Sequence, residues 1–149
     1  MKAVVQRVAW AQVEVEGRLV GRIERGLLVY VGVGEGDDAA APAKLAEKVA
    51  FLRIFEDGEG KLNLSVKDIG GGVLGIPNFT LLGDARRGRR PDFTGAARPE
   101  QAQPLYEAFL AALRQAGCTV AGGQFRAHMD IRSQADGPIN ILLEVPSRE

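Results

Sequence analysis

The chain predicts an α+β fold, a mixed or antiparallel sheet with two main helices packed on it. Three observations predict it. Short segments of period-two alternation or unbroken apolar character recur along the chain, as strands require. Only two segments, residues 41–53 and 99–117, carry apolar residues at helical spacing. Those helices are separated by several strands and do not alternate with them, which argues against a doubly wound parallel sheet.

Each element has a local reason. Ala3 to Glu16 alternates, with Val13 and Val15 on one side and Glu14 and Glu16 on the other. Glu16-Gly17 punctuates it, and Leu19 to Ile23 reads as the return strand of a hairpin. Leu27 to Val31 follows Gly26 as a continuous apolar run, suited to a central strand buried on both faces. Residues 32–38 are loop. Asp37 or Asp38 can cap the helix Ala41 to Arg53, which has Pro42 in its first turn and Leu45, Val49 and Leu52 on one face. Asp57-Gly58-Glu59-Gly60 is a turn, and Gly70-Gly71-Gly72 breaks the chain before the strand Val73 to Ile76. Residues 83–98 show no period. The second helix starts at Pro99, carries Leu105, Phe109, Ala112 and Leu113 as a stripe, and stops at Gly117. Two last strands, Met129 to Ser133 and Ile139 to Val145, flank an Asp-Gly turn.

Bulk properties narrow the function. With 149 residues the chain is expected to be one domain, 1–149, able to bury about 70% of its unfolded surface. The net charge is zero, so attraction to nucleic acid or membrane has to be local. The single cysteine, Cys118, excludes an internal disulfide and suits a reducing compartment. No signal-peptide core and no membrane-length apolar run are visible, so no membrane partner is expected and the expected location is cytoplasmic.

Strong catalytic groups are scarce. Gly32-x-Gly34-x-Gly36 has neither dinucleotide nor Walker spacing, and Glu35, Asp37 and Asp38 would repel phosphate. One histidine, His128, and one cysteine cannot hold zinc without several carboxylates, and no metal is expected. No serine sits in a nucleophile elbow, and Cys118 opens an apolar segment as a buried structural thiol would. An enzyme with this inventory needs an already activated substrate, a positioned water and main-chain N–H groups aimed at a developing oxyanion.

Three segments remain. In Ala135-Asp136-Gly137-Pro138-Ile139-Asn140, proline lowers the cost of a cis bond, and a cis Gly137-Pro138 would turn two carbonyls to one side as a receptor for an ammonium group. On its own residues the tripeptide reads first as a hairpin turn. In Pro77-Asn78-Phe79-Thr80-Leu81, Pro77 ends the preceding strand and leaves Asn78 to Thr80 on a strand-end loop with free N–H groups. The alternative has Phe79 and Leu81 in the core and Thr80 capping a turn. Arg86-Arg87-Gly88-Arg89-Arg90 sets four guanidiniums in five residues, either to contact phosphates or to pair with Asp84, Asp92 or other acids.

Taken with these segments, several collinear blocks resemble the D-aminoacyl-tRNA deacylases. They include Met1-Lys2-Ala3-Val4-Val5-Gln6-Arg7-Val8, Leu52-Arg53-Ile54-Phe55-Glu56-Asp57 and Gly88-Arg89-Arg90-Pro91-Asp92-Phe93-Thr94. The resemblance implies hydrolysis of the ester of D-aminoacyl-tRNA, without cofactor, by a homodimer of a β-rich domain whose sheet curves toward a barrel. It places the site at the subunit interface, where one copy's cis Gly137-Pro138 holds the substrate amino group in the pocket of the other. Arg7 would steady that dipeptide. Asn78, Phe79 and Thr80 would form the reaction centre, and Phe125 and Met129 would approach the terminal adenosine. Arg86, Arg87, Arg89 and Arg90 would meet tRNA phosphates. The chain departs from the family's Ser-Gln-Phe-Thr at Pro77 and Asn78, and from Asn-x-Gly-Pro-Val-Thr at Ala135, Ile139 and Asn140. These departures make a relaxed editing deacylase, accepting glycyl or L-alanyl esters, the first alternative. A non-catalytic nucleic-acid-binding module using the arginine loop is the second, and a Cys118-dependent hydrolase the third.

Overall fold

The first strand, β1 (Lys2–Val15), sets the register of most of the sheet. The computed structural model describes residues 1–146; the last three residues of the expected domain lie outside them. Along one edge β1 pairs antiparallel with β8 (Asp130–Glu144). Along the other it pairs antiparallel first with β3 (Gly26–Gly32) and then with β2 (Arg18–Ile23). β3 then pairs parallel with β6 (Gly72–Pro77), and β6 parallel with β7 (Thr119–Gly122). The sheet is therefore mixed, as expected. A separate two-stranded ribbon, β4 (Phe55–Glu56) and β5 (Leu62–Leu64), closes around the predicted Asp57–Gly60 turn.

The sheet curls almost into a barrel with one seam between β2 and β7. The closest approach is made by glycines: a Cβ on Gly21 would lie 2.7 Å from the Gly122 carbonyl oxygen. Both faces of the sheet bury apolar side chains. On one, α1 (Ala41–Phe51) and α2 (Pro99–Gln115) cover Val5, Leu27, Val29, Val31 and Val73 with Leu45, Val49, Phe109 and Leu113. On the other, Val8, Ala11, Val13, Ile23, Leu28, Leu74 and Ile76 pack inside the curl. The alternation of Leu27, Leu28 and Val29 between the two clusters explains the unbroken apolar run of β3. Asp38 accepts N–H bonds from Ala40 and Ala41 at the start of α1. Asp37 instead binds the Gly34 N–H and the Met1 ammonium.

One expectation requires correction, and one strand was not foreseen. The Asp-Gly-Pro segment is not the turn between two strands. β8 runs through it against one partner, and residues 136–139 are accommodated as a bulge opposite Arg7, between the pairs Val8↔Ala135 and Gln6↔Asn140. The physical reason is that β1 continues on both sides of the bulge and offers a ladder to each half of β8. The segment after Cys118 is a full strand, β7, paired to β6 in register from Gly72↔Thr119. Gly122 at its end and Gly123 just after it hide a strand pattern in the sequence.

The β3–β6 contact is the tightest in the sheet. A Cβ on Gly26 would meet the Gly72 oxygen at 1.9 Å, whereas a Cβ on Gly36 would meet nothing within 4 Å. Gly26→Ala therefore costs about 3 kcal/mol or more, and thermal unfolding should move down by roughly 6–12 °C for a domain of this size. Gly36→Ala should leave the midpoint within a degree or two. Equal midpoints for the two variants would contradict the packing described.

Candidate active site

β6 ends at Pro77, which still pairs with Val31, and the Asn78 N–H continues the ladder to the Val31 carbonyl at 2.8 Å. Phe79–Leu82 then forms one 3-10 turn. Asn78 caps it: its Oδ1 accepts from the Thr80 N–H at 3.2 Å and from the Thr80 hydroxyl. Thr80 is thus the capped residue and Asn78 supplies the cap. The Phe79 N–H opens the turn, and helix geometry gives such a group no internal acceptor. Phe79 is not in the core. It is 58% exposed and meets Phe93 edge to face, with ring centroids 5.2 Å apart.

Two cavities meet at Asn78 and Phe79. One, of about 490 Å³, is lined by Thr80, Met129 and Tyr30 among others; the second, of about 430 Å³ and mainly apolar, is lined by Phe125, Ala97 and Tyr106. The structure thus gathers Asn78, Phe79, Thr80, Phe125 and Met129, with Met129 lining the first cavity and Phe125 the second. Burial pushes the Tyr30 phenol up, so it is a neutral group at physiological pH.

Tyr106 fixes the two walls relative to each other. Its hydroxyl donates to the Gly75 carbonyl at 2.7 Å and accepts the Gly123 N–H at 3.2 Å. Gly75 lies on the strand leading to Asn78, and Gly123 on the segment leading to Phe125. Burial drives the phenol up to about 12, so it is a permanent donor. Sequence reasoning missed Tyr106, although it lies four residues from Ala102 and three from Phe109 on the buried face of α2. A tyrosine on a buried stripe needs a partner for its hydroxyl, and that was the available signal.

Arg7 is buried, unusual for its type, and its fork is used in two directions. Nη1 donates to the Ile54 carbonyl at 2.9 Å. Nε donates to the Asp136 carbonyl at 3.1 Å and lies 3.3 Å from the Asp136 carboxylate. The guanidinium therefore ties the bulge to the segment between α1 and β4. Gly137-Pro138 is cis, and both residues are exposed on β8. Neither lines the cavities beside Asn78–Thr80 in the same chain.

The arginine loop is closed at its base by mutual N–H bonds between Asp84 and Asp92. Arg86 is bound to Asp84 by two hydrogen bonds, Nε–Oδ1 2.9 Å and Nη2–Oδ2 2.6 Å. The Arg86 side chain holds the Asp84 carboxyl down at about 2. Arg87, Arg89 and Arg90 are exposed and make no ion pair among the described residues. Cys118 is buried, its thiol is pushed up by that burial, and it lines neither cavity. It has none of the thiolate character of a nucleophile.

Arg126 and His128 apart, the two cavities at Asn78 are lined by side chains that carry no charge at neutral pH. Comparison with known proteins specifies the class. The family profile described as D-Tyr-tRNA(Tyr) deacylase matches residues 4–144. A D-aminoacyl-tRNA deacylase of Thermotoga petrophila is 56% identical over 144 residues, covering 97% of each chain. That of Symbiobacterium thermophilum is 54% identical, over 97% of this chain and 95% of its own. Among solved structures, a c-Myc DNA unwinding element binding protein superposes with TM-score 0.93 at 39% identity, over 99% of this chain and all of its own. A probable eukaryotic D-amino acid tRNA deacylase, 18% identical with TM-score 0.81, shares the fold over 95% of this chain and 97% of its own. The chain belongs to the D-Tyr-tRNA(Tyr) deacylase family and is a hydrolase.

Arg7→Lys keeps the charge and removes the fork, so one ammonium cannot serve Ile54 and Asp136 together. The variant should lose about 1.5–3 kcal/mol. Hydrogen exchange should speed up at residues 136–139 while amides of the 79–82 turn keep their protection. Unchanged exchange in the bulge would show that Arg7 does not anchor it.

Proposed function

We propose that the protein hydrolyses the ester joining a D-amino acid to the terminal ribose of tRNA, and that two copies of the chain build each site. The observation that carries this is the separation, within one chain, of two segments the chemistry needs together. Asn78, Phe79 and Thr80 line a cleft, while Gly137-Pro138 stands exposed on a strand away from it. That strand, β8, pairs only with β1, so its outer edge is unpaired among the described residues. A long unpaired edge is a template for another chain. Leu142, 78% exposed, adds an apolar groove with Val4 and Leu81 on the same side.

In this reading the main-chain oxygens of Gly137 and Pro138 from one copy receive the substrate ammonium in the other copy's cleft. A D side chain then points to open space and an L side chain into the dipeptide. Water adds to the ester carbonyl carbon, assisted by the ribose 2′-hydroxyl. The Phe79 N–H donates to the oxyanion. Collapse breaks the acyl–oxygen bond, the ribose oxygen takes the proton, and free D-amino acid leaves. Thr80, held by Asn78, shapes this centre and forms no acyl-enzyme. Phe125 and Met129 flank the terminal adenosine, where an aromatic ring and a thioether suit a base. Arg87, Arg89 and Arg90 face acceptor-stem phosphates; Arg86, already bound to Asp84, shapes the loop. Acting on tRNA, the enzyme works in the cytoplasm.

Pro77 and Asn78 bear on strictness. Pro77 offers no N–H or hydroxyl, and the Asn78 amide oxygen is committed to Thr80. Fewer free polar groups face the side-chain end of the substrate, which favours some hydrolysis of glycyl-tRNA. Incubated at catalytic amounts with D-Tyr-tRNA and L-Tyr-tRNA, the protein should release tyrosine from the D-ester at least tenfold faster. No release from the D-ester would overturn the proposed reaction, and equal rates would overturn the chirality filter. Binding of tRNA without turnover would favour the nucleic-acid module instead.

A further inference from the structure

Arg126 stands where the two cavities join. It lines the chamber with Thr80 and Met129 and also the chamber with Phe125 and Tyr106. Of the residues lining either, it alone carries a permanent charge. It makes no hydrogen bond or ion pair among the described residues, while the neighbouring acid, Asp130, lies 3.6 Å from His128. Its backbone is left-handed, with φ 63°. A side chain at such a position costs about 1 kcal/mol relative to glycine, and this one is exposed.

The four arginines of the 86–90 loop do not compete for this place. Arg86 lines a different groove, of about 860 Å³, with Met1, Asp37 and Glu144, and none of the four lines either cavity at Asn78. An anion entering beside Thr80 or Phe125 therefore meets one permanent cation, Arg126.

We propose that Arg126 is the phosphate-binding residue of this site. Its guanidinium takes the 5′-phosphate of the terminal nucleotide whose ribose carries the ester. This rests on the deacylase reading above and deepens it. On an aminoacylated 3′ end, that phosphate is the anion nearest the reacting ester, one ribose away. A planar guanidinium can grip two of its oxygens at once. With the base between Phe125 and Met129 and the phosphate on Arg126, the ribose is held at both ends. The ester is then aimed at the Phe79 N–H without any charged group at the reacting carbon.

The test uses 5′-AMP and adenosine as probes, titrated into the intact protein and followed by amide chemical shifts. Wild type should bind AMP about tenfold or more tightly than adenosine. Arg126→Gly, which suits the left-handed backbone and should not lower the unfolding temperature, should bring the ratio near one. Arg126→Lys should recover part of it, as a point charge does. Three results would overturn the assignment: equal affinities in wild type, no AMP binding, or a ratio unchanged in Arg126→Gly. The probes carry no ester, so this outcome is separate from the D-Tyr-tRNA assay, whose failure would sink the deacylase reading itself.

Discussion

The buried Arg7 guanidinium holds together what the rest of the site needs. Residues 136–139 have no ladder partner on β1, and the Arg7 side chain is what ties them down. One charged fork binds the bulge on one side and the Ile54 carbonyl on the other. A buried cation is tolerable only when it is paired and hydrogen-bonded. The Asp136 carboxylate and two carbonyls meet that condition. The same bonds decide where Gly137 and Pro138 project.

The second half of the site is built from strand ends. β6 terminates at proline, one 3-10 turn follows, and Asn78 caps it. The opposing wall, 123–129, leaves β7 and is tied back to β6 through Tyr106. Both walls are thus fastened to the core by main-chain and phenol bonds. Such a site suits an activated ester. On the proposed reading, catalysis depends on orientation and fixed donors.

Much of this was readable in the sequence, for reasons that differ from element to element. The helices over 41–51 and 99–115 announced themselves by apolar spacing and proline at the first turn, and the second also by Gly117 beyond its end. β3 announced itself by an apolar run that two cores require. Pro77 marked a strand end because it cannot donate. The 135–140 segment was different: Asp-Gly-Pro reads locally as a turn, and only the distant continuity of β1 makes it a bulge. β7 was hidden by Gly122 at its end and Gly123 just after it; the close contact with β2 at Gly122 is one that no local pattern reveals. Tyr106 was legible as a buried tyrosine in need of a partner, but not which strand ends it joins; Arg126 carried no local signal, because the two cavities that meet at it are built by residues distant in the sequence. Whether the arginine loop was paired was equally beyond composition, since it turns on one bidentate contact between Arg86 and Asp84.

The central claim is that each reaction centre combines Gly137-Pro138 of one copy with Asn78–Thr80 of another. Subunit mixing tests it most directly. A Pro138→Ala chain and a Thr80→Ala chain, each weak in D-Tyr-tRNA hydrolysis alone, are co-expressed with different tags and the mixed dimer is purified. A site shared across copies puts both defects in one centre and leaves the other intact, so the mixed dimer should regain close to half of wild-type turnover. A mixed dimer as weak as its parents would mean that each chain completes its own site, and the account would be wrong.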